Sequence, residues 1–136
     1  MRNFATKHLP TNRDVVATDG SAVRLLLGLA GGDMAHFELG PNQTSKAVTH
    51  RTVEEIWYFT SGRGQMWRRQ NGQPATVDVY PGVCITIPLG TQFQFRSFAD
   101  EPLTAIAVTM PPWPGDGEAV IVPGAWEPTV SGPPGT

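Results

Sequence analysis

The stretch His50-Arg51-Thr52-Val53-Glu54-Glu55-Ile56-Trp57-Tyr58-Phe59-Thr60-Ser61-Gly62-Arg63-Gly64 decides how this chain is read. Its centre, Ile56 to Thr60, is an unbroken run of β-branched and aromatic side chains, which is the composition of a strand. Ser61-Gly62-Arg63-Gly64 then stops the run with turn-forming residues. A competing signal stands at the start: Thr52-Val53-Glu54-Glu55 has the form of a capping box, and Val53, Ile56 and Trp57 have helical spacing. A strand is the preferred reading, because a lone helix here would interrupt a β series running on both sides.

That series follows from the punctuation. The chain has 15 Gly and 13 Pro among 136 residues, about 21% against an ordinary share near 12%, which leaves little room for long helices. Val15-Val16-Ala17 precedes the tight-turn pair Asp19-Gly20, and Val23 to Leu29 is broken by Ala30-Gly31-Gly32-Asp33. Met34 to Leu39 stops at Gly40-Pro41, and Gln65 to Arg69 and Ala75 to Tyr80 flank Asn71-Gly72, a favoured type I′ hairpin turn. Pro81-Gly82 leads into Val83 to Ile87, Phe93-Gln94-Phe95 alternates, and Leu103 to Thr109 is a run of buried type. About nine or ten strands at such spacing predict a single all-β domain, an antiparallel sandwich or barrel. From Pro111 to Thr136 there are seven prolines and five glycines, with Trp113 and Trp126 as the large anchors. The domain is therefore expected to span 1–127, the last part an arm lying on the barrel, with 128–136 a flexible tail.

Several function classes drop out. A net charge of −2 from 10 Lys and Arg against 12 Asp and Glu does not suit a protein held on nucleic acid by phosphate neutralisation. One cysteine, Cys84, allows no internal disulfide framework and no cysteine-rich zinc site. The N-terminus lacks the apolar core of a signal peptide, and the apolar run around Leu25-Leu26-Leu27 is too short to cross a bilayer. A soluble, cytoplasmic protein with no membrane contact is expected.

The quoted stretch also resembles the first motif of the cupin superfamily, H-x-H, three or four residues, E, six residues, G, with Glu55 standing six residues before Gly62. Pro81-Gly82 and then Pro88-Leu89-Gly90 resemble the second motif, G-x₅-P-x-G-x₂-H-x₃-N, and Asn71-Gly72 falls between the motifs where cupins carry a turn. The resemblance implies a small jelly-roll barrel, often dimeric through its outer sheet or an exchanged N-terminal strand; a homodimer is the expected assembly. In metal-bearing cupins two His and one Glu of the first motif and one His of the second hold a divalent ion. Respecting the gap to Glu55 puts His50 at the second position and Val48 at the first. Taking His50 as the first would put Thr52 at the second with a gap one residue short, and the former is preferred. Phe93 stands at the second-motif His and Ser97 at the Asn; Gln92, the nearest polar substitute, would need a one-residue shift to point inward. At most His50 and Glu55 remain of four ligands, so a metal there would be weakly held and no cofactor is required.

The motif positions of Glu55 and Phe93 place both inside. By pleat alternation Trp57 and Phe59 share the face of Glu55, and Phe95 shares that of Phe93. This predicts an aromatic-lined barrel pocket with an imidazole and a carboxylate near its mouth. Burial should raise the Glu55 pKa and suit it to move protons near neutral pH. His50 and Glu55 are thus the candidate catalytic pair, with Trp57, Phe59, Trp67, Arg68, Gln92, Phe93, Phe95 and Arg96 as candidate substrate contacts. The bland alternative is that Glu55 is an inherited carboxylate, hydrogen-bonded and inert. Arg63, Arg68, Arg69 and Arg96 read mainly as solvated charges, Arg68 or Arg96 being preferred if one binds an anionic group. His36 reads as a surface or core residue, His8 takes no role, and Cys84 reads as a buried structural thiol rather than a nucleophile. The leading reading is a small-molecule enzyme using acid/base chemistry for isomerisation, elimination or cyclisation. Its rivals are a metal-dependent dioxygenase or lyase with a reduced ligand set and a non-catalytic binding module.

Overall fold

The computed structural model describes residues 2–98 and 100–130. Among the described residues the regular structure is entirely strand: β1 (Val15–Val16), β2 (Ala22–Leu29), β3 (Gly32–Leu39), β4 (Val48–His50), β5 (Glu54–Ser61), β6 (Gly64–Gln70), β7 (Gln73–Val79), β8 (Cys84–Ile87), β9 (Gln92–Ser97), β10 (Leu103–Met110) and β11 (Ala119–Ile121). Two antiparallel sheets result, one in the order β1-β2-β3-β10-β5-β8 and the other in the order β11-β4-β9-β6-β7. This is a jelly-roll arrangement, but strand pairing does not close the sheets into a barrel. The edges are β1 and β8 in one sheet and β11 and β7 in the other, and no described strand pairs across from one sheet to the other. No described helix is long and apolar enough to cross a membrane.

The quoted stretch forms strand, as the composition of Ile56 to Thr60 required. Along β5 the exposed residues Glu54, Ile56 and Tyr58 alternate with the buried Glu55, Trp57 and Phe59. The capping-box signal at Thr52 is real chemistry with a different acceptor: the N–H groups of Thr52 and Val53 both donate to the Glu118 carboxylate, at 2.7 and 3.0 Å. A distant side chain thus satisfies the donors that a helix start would have left open. Central β10 alternates in the same way, burying Leu103, Ala105, Ala107 and Thr109 between β3 and β5. Asn71 and Gly72 have φ of +53° and +74° and join β6 to β7 with Gln70 opposite Gln73, the hairpin the dipeptide predicted. At Gly64 a Cβ would collide with the Arg96 carbonyl, so only glycine lets β6 approach β9 there.

The core is the space between the sheets. Trp57, Phe59, Ile85, Ile87, Leu103, Ala105 and Ala107 from one sheet meet Val48, Met66, Val79, Phe93 and Phe95 from the other. On the outer face of the larger sheet, Met34, Val108, Ile56 and Thr86 lie in one cross-strand row and His36, Ile106, Tyr58 and Cys84 in the next. Cys84 is therefore exposed, not buried, because its register partner Tyr58 is on the outward side of β5. The C-terminal stretch is ordered beyond the expected boundary at Glu127: Thr129 donates its N–H to the Thr44 carbonyl, and Val130 packs against the core. The remainder of the expected tail, 131–136, lies outside the described residues.

Candidate functional site

β5 aims Glu55 inward from the larger sheet, and β4 aims His50 inward from the smaller one. Their side chains meet at one end of the sandwich, with His50 Nδ1 3.8 Å from Glu55 Oε1. That exceeds hydrogen-bond distance, and His50 Nδ1 has no partner. Glu55 Oε1 instead accepts a hydrogen bond of 3.1 Å from the Trp57 indole, two residues along the same face. Residue exposures of 8% for His50 and 2% for Glu55 place both groups essentially out of water. Phe93 and Trp113 present their rings edge-on to the imidazole, at centroid distances of 5.3 and 5.1 Å.

Burial sets the electrostatics. It pushes the Glu55 carboxyl up to about 8; the Trp57 hydrogen bond opposes this, and repulsion from Asp19 and Glu118 adds to it. Burial pulls the His50 imidazole down to about 4, against the Glu118 charge and a backbone hydrogen bond at Val53, both of which favour the charged ring. At neutral pH the pair therefore holds one proton, as a neutral acid beside a neutral imidazole rather than a standing ion pair.

The surroundings come from far along the chain. β11 pairs with β4, with Ala119 opposite His50. Glu118, next to it, takes the Thr52 hydroxyl at 2.6 Å in addition to the two N–H groups described above, and Arg51 Nε donates to the Gly117 carbonyl at 2.7 Å. Burial alone would raise the Glu118 carboxyl, but these hydrogen bonds from Thr52 and Val53 and the nearby His50 hold it below its ordinary value. Trp113 is fixed over the imidazole in part by its backbone N–H, which donates to Asp33 Oδ2 at 3.0 Å.

The candidate substrate contacts divide three ways. Trp57, Phe59, Phe93 and Phe95 do point inward, but they line no open pocket. Each is at most 2% exposed, and Trp57 stacks on Phe37 at 4.9 Å and meets Phe95 and Phe93 edge-on at 5.2 and 6.0 Å. They are the packed core; rings this large fill the space between two sheets about 10 Å apart. Trp67, Gln92 and Arg96 lie on the outer face of the smaller sheet, because their neighbours Met66, Phe93 and Phe95 take the inner one. There Arg96 sits 4.1 Å over the Trp126 ring and donates to Gln65 Oε1. Gln94 beside it bonds the Ser45 and Trp126 carbonyls and the Ala125 and Trp126 N–H groups, all within 3.0 Å. Arg96 and Gln94 thus clip the C-terminal arm to the sheet. Arg68 stands opposite Phe93 on the inward face and reaches across to the Thr86 carbonyl, 2.9 Å away. Two surface clefts of about 520 Å³ lie away from the pair, one under the arm beside Gln94 and Trp126, the other between Arg2–Ala5 and Leu27–Leu29.

The residues present do not fit the metal centre that the cupin resemblance implies. Two of the four ligand positions, Val48 and Phe93, are apolar, buried and directly opposite one another. Among the described residues no group of three or more His, Cys, Asp and Glu side chains is placed to hold an ion. His50 and Glu55 alone fall short of the three protein ligands such sites need.

Sequence reasoning missed Glu118, Trp113 and Asp33. Glu118 and Trp113 sit in the Pro- and Gly-rich arm, where no periodicity marks a face.

No protein-family model matches the chain, and no functionally curated protein does. Solved structures do. An uncharacterized conserved protein with a double-stranded β-helix domain from Klebsiella pneumoniae matches at a TM-score of 0.63 and 13% identity, over 79% of this chain and 89% of its own. Oxalate decarboxylase from Bacillus subtilis matches at 0.67 and 16%, over 81% of this chain and 30% of its own. The capsular polysaccharide assembling protein CapF from Staphylococcus aureus matches at 0.65 and 17%, over 86% of this chain and 35% of its own. The chain thus spans about a third of the length of the last two. These likenesses show the double-stranded β-helix fold.

Proposed function

We propose that this chain is a small-molecule enzyme that moves protons within one substrate, with His50 and Glu55 as its acid/base pair and no metal required. The observation that carries the reading is the pair itself, a buried carboxyl and a buried imidazole 3.8 Å apart with Nδ1 left unpartnered. An inert structural pair would close to a hydrogen bond. This one leaves an acid and a base free to act on neighbouring atoms of a third molecule.

Isomerisation of an α-hydroxy carbonyl compound suits that geometry. His50 Nδ1 takes a proton from the carbon next to the carbonyl while Glu55 gives its proton to the carbonyl oxygen, producing an enediol. Glu55 then takes the proton of the neighbouring hydroxyl, and His50 returns its proton to the former carbonyl carbon. Both groups end as they began. Between the half-reactions they form an imidazolium beside a carboxylate, an ion pair strengthened by the low local dielectric. Access requires the segment carrying Trp113 to move from over the imidazole. The single cysteine is an exposed free thiol, which suits a reducing, cytoplasmic compartment.

The test is hydrogen–deuterium exchange into hydroxyacetone in D2O, followed by NMR. The chain should exchange the hydroxymethylene protons above the buffer rate. Glu55→Gln and His50→Gln should each lower that rate by about 10²- to 10⁴-fold. Exchange by Glu55→Gln at the unaltered protein's rate would refute the reading, and hydroxyacetone binding without exchange would favour a non-catalytic binding module.

A further inference from the structure

Three buried side-chain polar atoms among the described residues have no hydrogen-bond partner: His36 Nδ1, His50 Nδ1 and Thr91 Oγ1. His36 is on the outer face of the larger sheet, beside Arg24. The other two belong together. β4 pairs with β9 as Val48 opposite Phe93 and Thr49 opposite Gln92; extending that register by one residue, past the last paired positions, puts Thr91 on the side of β9 that faces His50. Thr91 shares the inward parity of Phe93 and Phe95. It is 2% exposed, and its backbone is pinned by a bond from its N–H to the Pro88 carbonyl, just after Gly90 turns the chain at φ +84°.

An unmet buried hydroxyl is costly, and native cores rarely keep one without a use. Valine would fill the same volume at no such cost. Beside an unmet imidazole nitrogen, this one has a use in reach. We propose that Thr91 Oγ1 is a substrate-binding hydroxyl that completes a three-point site with His50 Nδ1 and Glu55 for a small uncharged hydroxy-carbonyl compound. The inference rests on the acid/base reading of that pair and adds the group that orients the substrate between them. An uncharged ligand suits the site because the Glu118 carboxylate, held ionised by its hydrogen bonds from Thr52 and Val53, places negative charge on this end of the sandwich. An anionic substrate would meet that repulsion, with no described cation bonded at the pair. Three hydrogen-bonding groups, on β4, on β5 and on the turn entering β9, fix a small molecule in one orientation, which proton transfer between adjacent atoms demands.

Thr91→Val keeps the shape and removes the hydroxyl, and Thr91→Ser keeps the hydroxyl. In the hydroxyacetone exchange assay, Thr91→Val should raise KM about three- to tenfold, the worth of one hydrogen bond. Its kcat should change less, and its pH profile should not move because His50 and Glu55 remain. Thr91→Ser should stay within about twofold of the unaltered protein. Without substrate, Thr91→Val should unfold at or above the unaltered protein's temperature, since it loses no native bond. An unchanged KM, or a less stable Thr91→Val, would show the hydroxyl to be idle or structural and would overturn the proposal. Failure of the acid/base reading shows separately, as undiminished exchange by Glu55→Gln whatever Thr91→Val does. An unaltered protein that does not exchange hydroxyacetone overturns both.

Discussion

The single proton shared by His50 and Glu55 should be visible in the pH dependence of stability. In the folded state the pair binds one proton from about pH 4 to about pH 8, whichever of the two groups carries it. In the unfolded chain the ordinary values of 4.5 and 6.5 apply, so the two groups together bind two protons below pH 4.5, one between 4.5 and 6.5, and none above 6.5. From pH 6.5 to about 8 the folded state therefore holds the extra proton, and stability must fall as pH rises. At about 1.4 kcal/mol per unit over that window the loss is about 2 kcal/mol. A urea slope of roughly 1–3 kcal/mol/M converts it to a midpoint shift of roughly 1 M. Glu55→Gln keeps the shape and removes the proton, so its midpoint should stay flat from pH 6.5 to 8. Between pH 6.5 and 4.5 the roles reverse. The unaltered pair has equal proton counts in both states and contributes no slope. In Glu55→Gln, His50 stands alone with its pKa depressed, and stability falls with falling pH. Asp19, whose carboxyl burial also raises, titrates in both proteins and cancels in the comparison. The assay is urea unfolding followed by tryptophan fluorescence at half-unit pH steps. Parallel midpoint curves for the two proteins from pH 6.5 to 8 would mean that the folded pair holds no extra proton in that window, and the reasoning would be wrong.

Further consequences follow from packing and long-range contacts. Trp57→Ala should cost about 3–5 kcal/mol in urea unfolding, because the indole is fully enclosed by Phe37, Phe59, Phe93 and Phe95; a loss under about 1 kcal/mol would mean a pocket wall instead. Glu118→Gln weakens three hydrogen bonds to Thr52 and Val53 and should cost about 1–2 kcal/mol. Amide exchange at Thr52 and Val53 should speed up more than exchange in β10, and equal changes would count against the local cap. We propose a homodimer across the exposed apolar patch formed by Met34 and Ile56 in one row and Tyr58 in the next, which are 42%, 43% and 52% exposed. Sedimentation should give about twice the 14.7 kDa chain mass, and Ile56→Glu should return the monomer; a monomeric unaltered protein would refute this.

The parts of the molecule legible in the sequence are those governed by neighbouring residues. Period-two alternation marks β5 and β10 because a pleat sends successive side chains to opposite faces, and Asn71-Gly72 marks its hairpin because few other pairs accept two positive φ angles. The inward placement of Glu55 came from the same alternation together with the turn framework that resembles the cupin motifs. β4 and β11, at three residues each, were too short for any pattern to show. Parity alone could say that Trp57, Phe59, Phe93 and Phe95 point inward, but not whether the space between them is open or filled. The packing of both sheets decides that, and their rings fill it.

The stretch from His50 to Gly64 thus determined a strand and which residues share its face, because local sterics and turn chemistry act over a few residues; that the Glu55 face points inward came from the motif resemblance. Only the tertiary structure decided what surrounds the pair of His50 and Glu55. Trp113, Glu118 and Thr91 reach it from 41 to 68 positions along the chain, through sheet pairing and an arm crossing. Contacts over such separations are set by the global packing of the two sheets, for which neither composition nor spacing carries a signal.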